Sequence, residues 1–137
     1  MKKTILSTIF AFALIQFIPY GKDHTNPEVK SEIKWDTKKT KELFEKACAD
    51  CHSNTTKYPW YSNIAPVSWL IAHDIKEGRE HFNISMIGYQ KRNKQKDAAE
   101  EIQEGEMPPL IYILNHSEAK LSKEETKELV NGLKATF

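Results

Sequence analysis

The polar and apolar positions divide the chain into a few helices separated by loops that resist regular structure. The first apolar segment is Ile5 to Ile18, 14 residues without a charge, introduced by Lys2-Lys3. Residues 21–35 are polar and carry Gly21 and Pro27, the composition of a spacer. Periodicity resumes beyond it. Asp36 or Thr37 is placed to cap a helix, and Leu43, Phe44, Ala47, Cys48 and Cys51 fall at i, i+1, i+4, i+5 and i+8, a single stripe. The spacing predicts one helix running to residues 48–52, with the cysteines continuing its core face. Pro59, Pro66 and the turn residues around them exclude a long helix over 53–66. Pro66 suits a first helical position, and Val67, Leu70, Ile71 and Ile75 repeat at helical spacing, with an end expected near Gly78. A charged helix is expected from about Lys91 to Glu104, carrying a thin stripe of Ala98, Ala99 and Ile102 and closed by Gly105 as C-cap. Ser122 and Glu125 form a capping box that opens a last helix, with Thr126, Leu129, Val130, Leu133 and Phe137 on one face. That face is suited to pack across the first domain helix, and the whole pattern is all-α.

Composition narrows the class. At 137 residues there is room for one small domain. Lys and Arg number 20 against 19 Asp and Glu, so no single-sign field points to nucleic acid. The basic patch Lys91 to Lys96 reads as a solvated helix face. The chemistry lies in the cysteines. There are two, both in Cys48-Ala49-Asp50-Cys51-His52, the C-x-x-C-H pattern of covalent haem attachment. In a helical turn, residues three and four apart share one face. Two thiols can then add to the two vinyl groups of one porphyrin while the His52 imidazole reaches the iron from the same side. One pentapeptide implies one haem c and argues against a small peroxidase. A macrocycle held in this way would also enlarge the core of a small domain, which buries only a modest fraction of its surface.

The N-terminal segment sets the compartment. A basic start and a short apolar run describe a secretory signal, and 14 residues fall short of the ~20 that span a bilayer comfortably. No small-x-small cleavage site follows, because the chain continues Gln16-Phe17-Ile18-Pro19-Tyr20, and Ala11-x-Ala13 would cut the apolar run in half. Residues 1–20 are thus a signal peptide or an uncleaved anchor, with residues 4–20 as the possible tether. Residues 21–35 form the spacer and 36–137 the haem-binding domain. With the lysines on the cytoplasmic side, the domain is expected in the periplasm, free or anchored to the inner membrane. In an oxidising compartment two cysteines three apart would otherwise form a strained disulfide or a redox motif. The adjoining histidine makes thioethers the better reading.

A second axial ligand is sought on the other side of the iron. Met107 stands in Glu106-Met107-Pro108-Pro109, a loop stiffened by two prolines, whereas Met86 lies in the apolar run Ile84 to Ile87. Met/His ligation raises a haem potential, and Met107 is the preferred partner of His52, with His73, His81 and Met86 as alternatives. Arg79 and His81 are candidates to meet the haem propionates. Trp60 and Tyr61 are candidates to line the haem edge. A ligating histidine usually donates its other ring N–H to a fixed acceptor, here expected from the loop bearing Pro59 and Pro66.

With these residues in view, the chain resembles the exported haem-binding-domain family of cytochrome c-like proteins. The resemblance covers roughly residues 15–135. It rests on Gln16-Phe17-Ile18, Asn26-Pro27, Cys48-Ala49-Asp50-Cys51-His52-Ser53 and Tyr58-Pro59-Trp60-Tyr61. It continues through Pro66-Val67-Ser68-Trp69-Leu70, His73-Asp74 and Gly78-Arg79 to Gly105-Glu106-Met107-Pro108-Pro109. It implies a small cytochrome c-like helical domain around one covalent haem, with His52 and Met107 as iron ligands. The expected function is one-electron transfer to a redox partner protein rather than enzymatic catalysis. The alternative is a haem-based sensor or small-ligand binder with a labile distal ligand.

Overall fold

The computed structural model describes residues 1–137. The domain is entirely helical, with no β-strand. Helix α1 spans Lys2–Ile15 and has no buried residue, as expected of a run with apolar side chains on every face. No helix is long and apolar enough to cross a membrane. Residues 21–35 contain no helix, as their composition predicts, but they lie along the domain. Lys30 and Ser31 donate their backbone N–H groups to Ser85 O at 2.9 and 3.0 Å, and Trp35 packs on Phe44 with ring centroids 5.1 Å apart.

Helix α2, Lys38–Ala47, is capped by Thr37, whose side chain accepts from Thr40 N at 3.1 Å. It does not run unbroken into the cysteine motif. Cys48 leaves helical geometry at φ −128°, ψ −31° and becomes the N-cap of a separate turn, α3, Ala49–His52. The break keeps the thiol of Cys48 beside the core face of α2, while Cys51 and His52 donate back to Cys48 O at 3.2 and 3.0 Å.

Helix α4, Val67–His81, starts one residue after Pro66 and continues beyond Gly78. The expectation that Gly78 ends this helix is corrected. Its role is close packing, because a Cβ there would lie 2.7 Å from Cys51 O and 2.9 Å from Cys51 Cβ. The missing side chain lets α4 lie against the α3 turn. The helix expected from Lys91 begins later, as a 3-10 turn at Gln95–Asp97 followed by α5, Ala98–Glu104. Lys91 to Lys94 offer no apolar position to bury, and Asn93 instead donates its side-chain amide to Asn83 O at 3.1 Å. Gly105 closes α5 in the left-handed region at φ 81°, where glycine pays no Cβ penalty. A short helix that the pattern did not predict, α6, Leu110–Asn115, follows the proline pair and buries none of its residues. The last helix, α7, Lys123–Thr136, opens with both bonds of the Ser122–Glu125 capping box.

Helix α7 packs on α5 and α2, and α3 packs on α4. The core joins Leu43 and Phe44 of α2 to Phe82, Ile102, Leu129 and Leu133. Where α7 crosses α2, Gly132 faces Thr40 so closely that no Cβ would fit. The terminal helix therefore does pack across the first domain helix, and the apolar stripes of α2, α5 and α7 meet there.

Candidate haem site

A cavity opens between α2, α3, α4, α5 and the loop after α5, and ten of its 18 lining residues are hydrophobic. One wall carries Cys48, Cys51 and His52; Phe44 and Ala47 extend it along α2. Gly78, His81 and Phe82 come from α4 and its end, and Ala98 and Ile102 from α5. Met107, Pro108, Pro109 and Tyr112 form the side reached through the distal loop. Three of the four residues that the sequence assigned to the cofactor lie within one pentapeptide, and the fold brings Met107 to the same cavity. Met86 and the exposed His73 do not line it.

The His52 ring is held in a fixed plane. His52 is buried, and its Nδ1 donates to Phe82 O at 3.1 Å while its ring stacks on Phe82 with centroids 4.1 Å apart. A second contact of this kind fixes both tautomer and ring plane, leaving Nε2 as the nitrogen free to bind iron. The acceptor corrects the sequence expectation. It comes from the residue that ends α4, not from the loop bearing Pro59 and Pro66. That loop is occupied elsewhere, with Ala65 bonded to Gln16. Burial lowers the pKa of His52 and outweighs the opposing bonds from Phe82 and Gly78, which favours the neutral imidazole that a metal requires.

The thiols are equally informative. Burial pushes Cys48 and Cys51 up to about 12, with the neighbouring Cys51 adding to the effect at Cys48 and Asp50 and Asp74 adding to it at Cys51. Redox-active C-x-x-C pairs work through a depressed pKa in an electropositive, partly exposed setting. Here the shift runs the other way, although both side chains are half-buried and Arg79 opposes the rise at Cys51. No three His, Cys, Asp or Glu side chains converge as a metal cluster. The donor set fits a flat apolar group anchored by two sulfurs and one imidazole.

Behind the motif lies a polar network with no local signature in the sequence. Arg79 donates to Ser53 O at 2.9 Å, to Asn26 Oδ1 at 3.0 Å and to Thr56 Oγ1 at 2.9 Å. Thr56 Oγ1 in turn donates to Asp50 O at 2.6 Å. Asn83 Nδ2 donates to Asn54 Oδ1 at 2.7 Å, and Asn54 N to Ser85 Oγ at 3.0 Å. The expectation that Arg79 meets a propionate is therefore corrected: its guanidinium braces the back of the motif. His81 does line the cavity, and its buried Nε2 has no partner. Such an orphan costs free energy unless something in the cavity satisfies it.

The distal side is built differently. The Met107 and Glu106 backbone N–H groups donate to Glu101 O at 3.2 and 3.0 Å, which ties the loop to the end of α5. Beyond the prolines, Tyr112 Oη donates to Asp50 Oδ2 at 2.8 Å, while Asp50 Oδ1 accepts from Lys57 N at 2.9 Å. Burial first, and the Asp50 carboxylate second, raise the Tyr112 phenol, so it remains a donor. Tyr112 stacks on His116 at 4.3 Å, and Tyr61 Oη contacts His116 Nε2 at 3.2 Å. Tyr61 thus braces α6 and Trp60 is 77% exposed; neither lines the cavity. The Tyr112–Asp50 bond was invisible to sequence reasoning. Its partners are 62 residues apart and neither belongs to a motif as a pair.

An all-helical domain with a buried imidazole, two sheltered thiols and a thioether around one apolar cavity is of the haem-binding class. The chain belongs to the haem-binding domain family, whose model matches residues 10–135. No curated protein and no solved structure matches it.

Proposed function

We propose that this protein is an exported mono-haem c-type cytochrome whose work is one-electron transfer. The observation that carries the reading is the single cavity shared by Cys48, Cys51, His52 and Met107, with His52 already oriented by Phe82. Cys48 and Cys51 would hold the macrocycle through thioethers, and His52 and Met107 would be the axial ligands. A bound haem supplies a one-electron couple. The chain's own contributions are ligation, exclusion of water and the orientation of the imidazole. With both axial positions taken by protein, substrate chemistry at the iron is disfavoured, so the protein is read as a carrier and not as an enzyme. Its partner is a redox protein on the same side of the membrane. The basic, apolar N-terminal segment supports export to the periplasm, with α1 as the candidate tether to the inner membrane.

The test of attachment is denaturing electrophoresis of protein matured with a cytochrome c assembly system. Haem should migrate with the polypeptide, and a haem-free band would overturn the covalent reading. One observation favours a second reading, a small-ligand sensor. Met107 is only half-buried and α6, which follows it, buries none of its residues. Carbon monoxide added to the reduced protein separates the two. An electron carrier keeps its spectrum over minutes, whereas rapid and complete conversion identifies an open distal position.

A further inference from the structure

The N-terminal helix does not hang free of the domain. Gln16, at its end, makes a matched pair of hydrogen bonds to one peptide unit of the loop before α4. Its Nε2 donates to Ala65 O at 2.9 Å, and its Oε1 accepts from Ala65 N at 3.0 Å. Gly21 lies so close to α4 that a Cβ would collide with Ser68 O, and its φ of 75° is one that glycine adopts without penalty. Lys22 Nζ donates back to Gln16 O. His24 stacks on Tyr58 with centroids 4.2 Å apart and contacts Ser62 O at 3.3 Å. Asn26 donates to Thr56 O at 2.9 Å and accepts from Arg79. Residues 16–26 are a strap fastened along residues 56–72, and the family match itself begins at residue 10, inside α1.

The strap changes what a membrane helix here can do. Helix α1 has 14 residues, about 21 Å at ~1.5 Å per residue, against a hydrocarbon core of ~30 Å. A segment this short is accommodated only if the bilayer thins or its flanks are drawn to the surface. The flank at the strapped end is apolar and exposed. Phe17 is 84% and Trp60 77% exposed, and Tyr20, Val67 and Leu70 are exposed as well, all within a few residues of the Gln16–Ala65 junction. Aromatic side chains favour the membrane interface, and an exposed apolar patch marks an interaction surface. The exposed Lys57 beside it suits anionic headgroups.

We propose that α1 is retained and that this face, residues 17–20 with 58–70, lies in the interfacial layer of a phospholipid bilayer. The haem domain is then held in one orientation and not on a flexible leash. The proposal rests on the exported, tethered reading above and adds the pose. The test uses the full haem-loaded chain in nanodiscs of phosphatidylethanolamine with a minority of phosphatidylglycerol. Intact mass comes first: a chain that still contains residues 5–15 supports retention, whereas a soluble chain starting at or beyond residue 16 overturns the tether itself. On retained protein, a gadolinium-chelating lipid headgroup should broaden the backbone amide signals of residues 17–20 and 58–70 and spare those of α7. Broadening confined to α1, or spread evenly over the domain, would overturn the fixed pose while leaving the tether standing. Gln16→Ala should abolish the contrast between 58–70 and α7 without changing the N-terminus. A contrast that survives Gln16→Ala would remove the strap from the explanation.

Discussion

The two walls of the haem cavity are built to different standards. On the Cys48–His52 side, the motif is braced by contacts from several other parts of the chain. Gly78 closes on Cys51, Phe82 orients His52, and Arg79 ties Ser53 to Thr56 and Asn26. On the Met107 side, the holding bonds are two from the backbone to Glu101 and one between phenol and carboxylate, and α6 has no fully buried residue. Regions with few buried contacts are those that open locally at low cost. Under the proposed ligation, the proximal wall would govern whether haem is held and the distal wall what the iron can do.

The comparison can be broken first on its rigid side. Gly78→Ala puts a methyl group 2.7 Å from Cys51 O. Overpacking of this kind costs about 1–3 kcal/mol, and here the strain falls on the attachment turn. The yield of haem-bearing protein, read by haem staining against total protein, should fall several-fold. An unchanged yield would show that the turn can shift without loss. On the distal side, Met107→Ala should remove the sulfur-to-iron band from the ferric spectrum and lower the potential while leaving haem content intact. The drop should be on the order of a tenth of the ~0.8 V that axial ligation spans. Retention of the band would move ligation to another sulfur, Met86, whereas a wild-type ferric spectrum that lacks the band would favour a nitrogen ligand, of which His81 lines the cavity.

A subtler probe is Tyr112→Phe, which removes one hydroxyl and keeps the ring. A hydrogen bond to a charged group contributes about 1.5–3 kcal/mol, and each ~1.4 kcal/mol is tenfold in a population. If that bond latches the distal loop, carbon monoxide should bind the reduced protein roughly tenfold faster, with global stability lowered by no more than the ~1.5–3 kcal/mol of the bond itself. Equal rates would show that the loop closes without it. The smallest effect lies outside both walls. Ser122→Ala removes the hydroxyl that accepts from Glu125 N at 3.1 Å. It should cost about 1 kcal/mol in denaturant unfolding without moving spectrum or potential.

Much of this was legible before folding. The C-x-x-C-H motif, the capping box at Ser122 and Glu125, the C-cap at Gly105 and the stripes of α2 and α7 are local patterns, each complete within a single stretch of at most about four turns. The misreadings share a cause. Gly78 looked like a helix end because glycine often is one, but here its lack of a side chain answers to Cys51, 27 residues earlier in the chain. Arg79 looked like a free cation because the Ser53, Asn26 and Thr56 acceptors come from other loops. The carbonyl for His52 was sought nearby, in the adjacent loop, and comes instead from the end of α4. Residues 21–35 looked like a spacer because polar composition does not reveal which backbone groups a segment will bond.

Local pattern thus carried the cofactor class, the residues proposed to attach it and the helices that build the core, because short-range spacing and periodicity dictate those. Only the packing of the chain revealed which carbonyl turns the His52 ring, which tyrosine reaches back to Asp50 and how the N-terminal strap is fastened. Each of those depends on groups brought together across dozens of residues. Such encounters are set by how helices pack, and no local pattern encodes them.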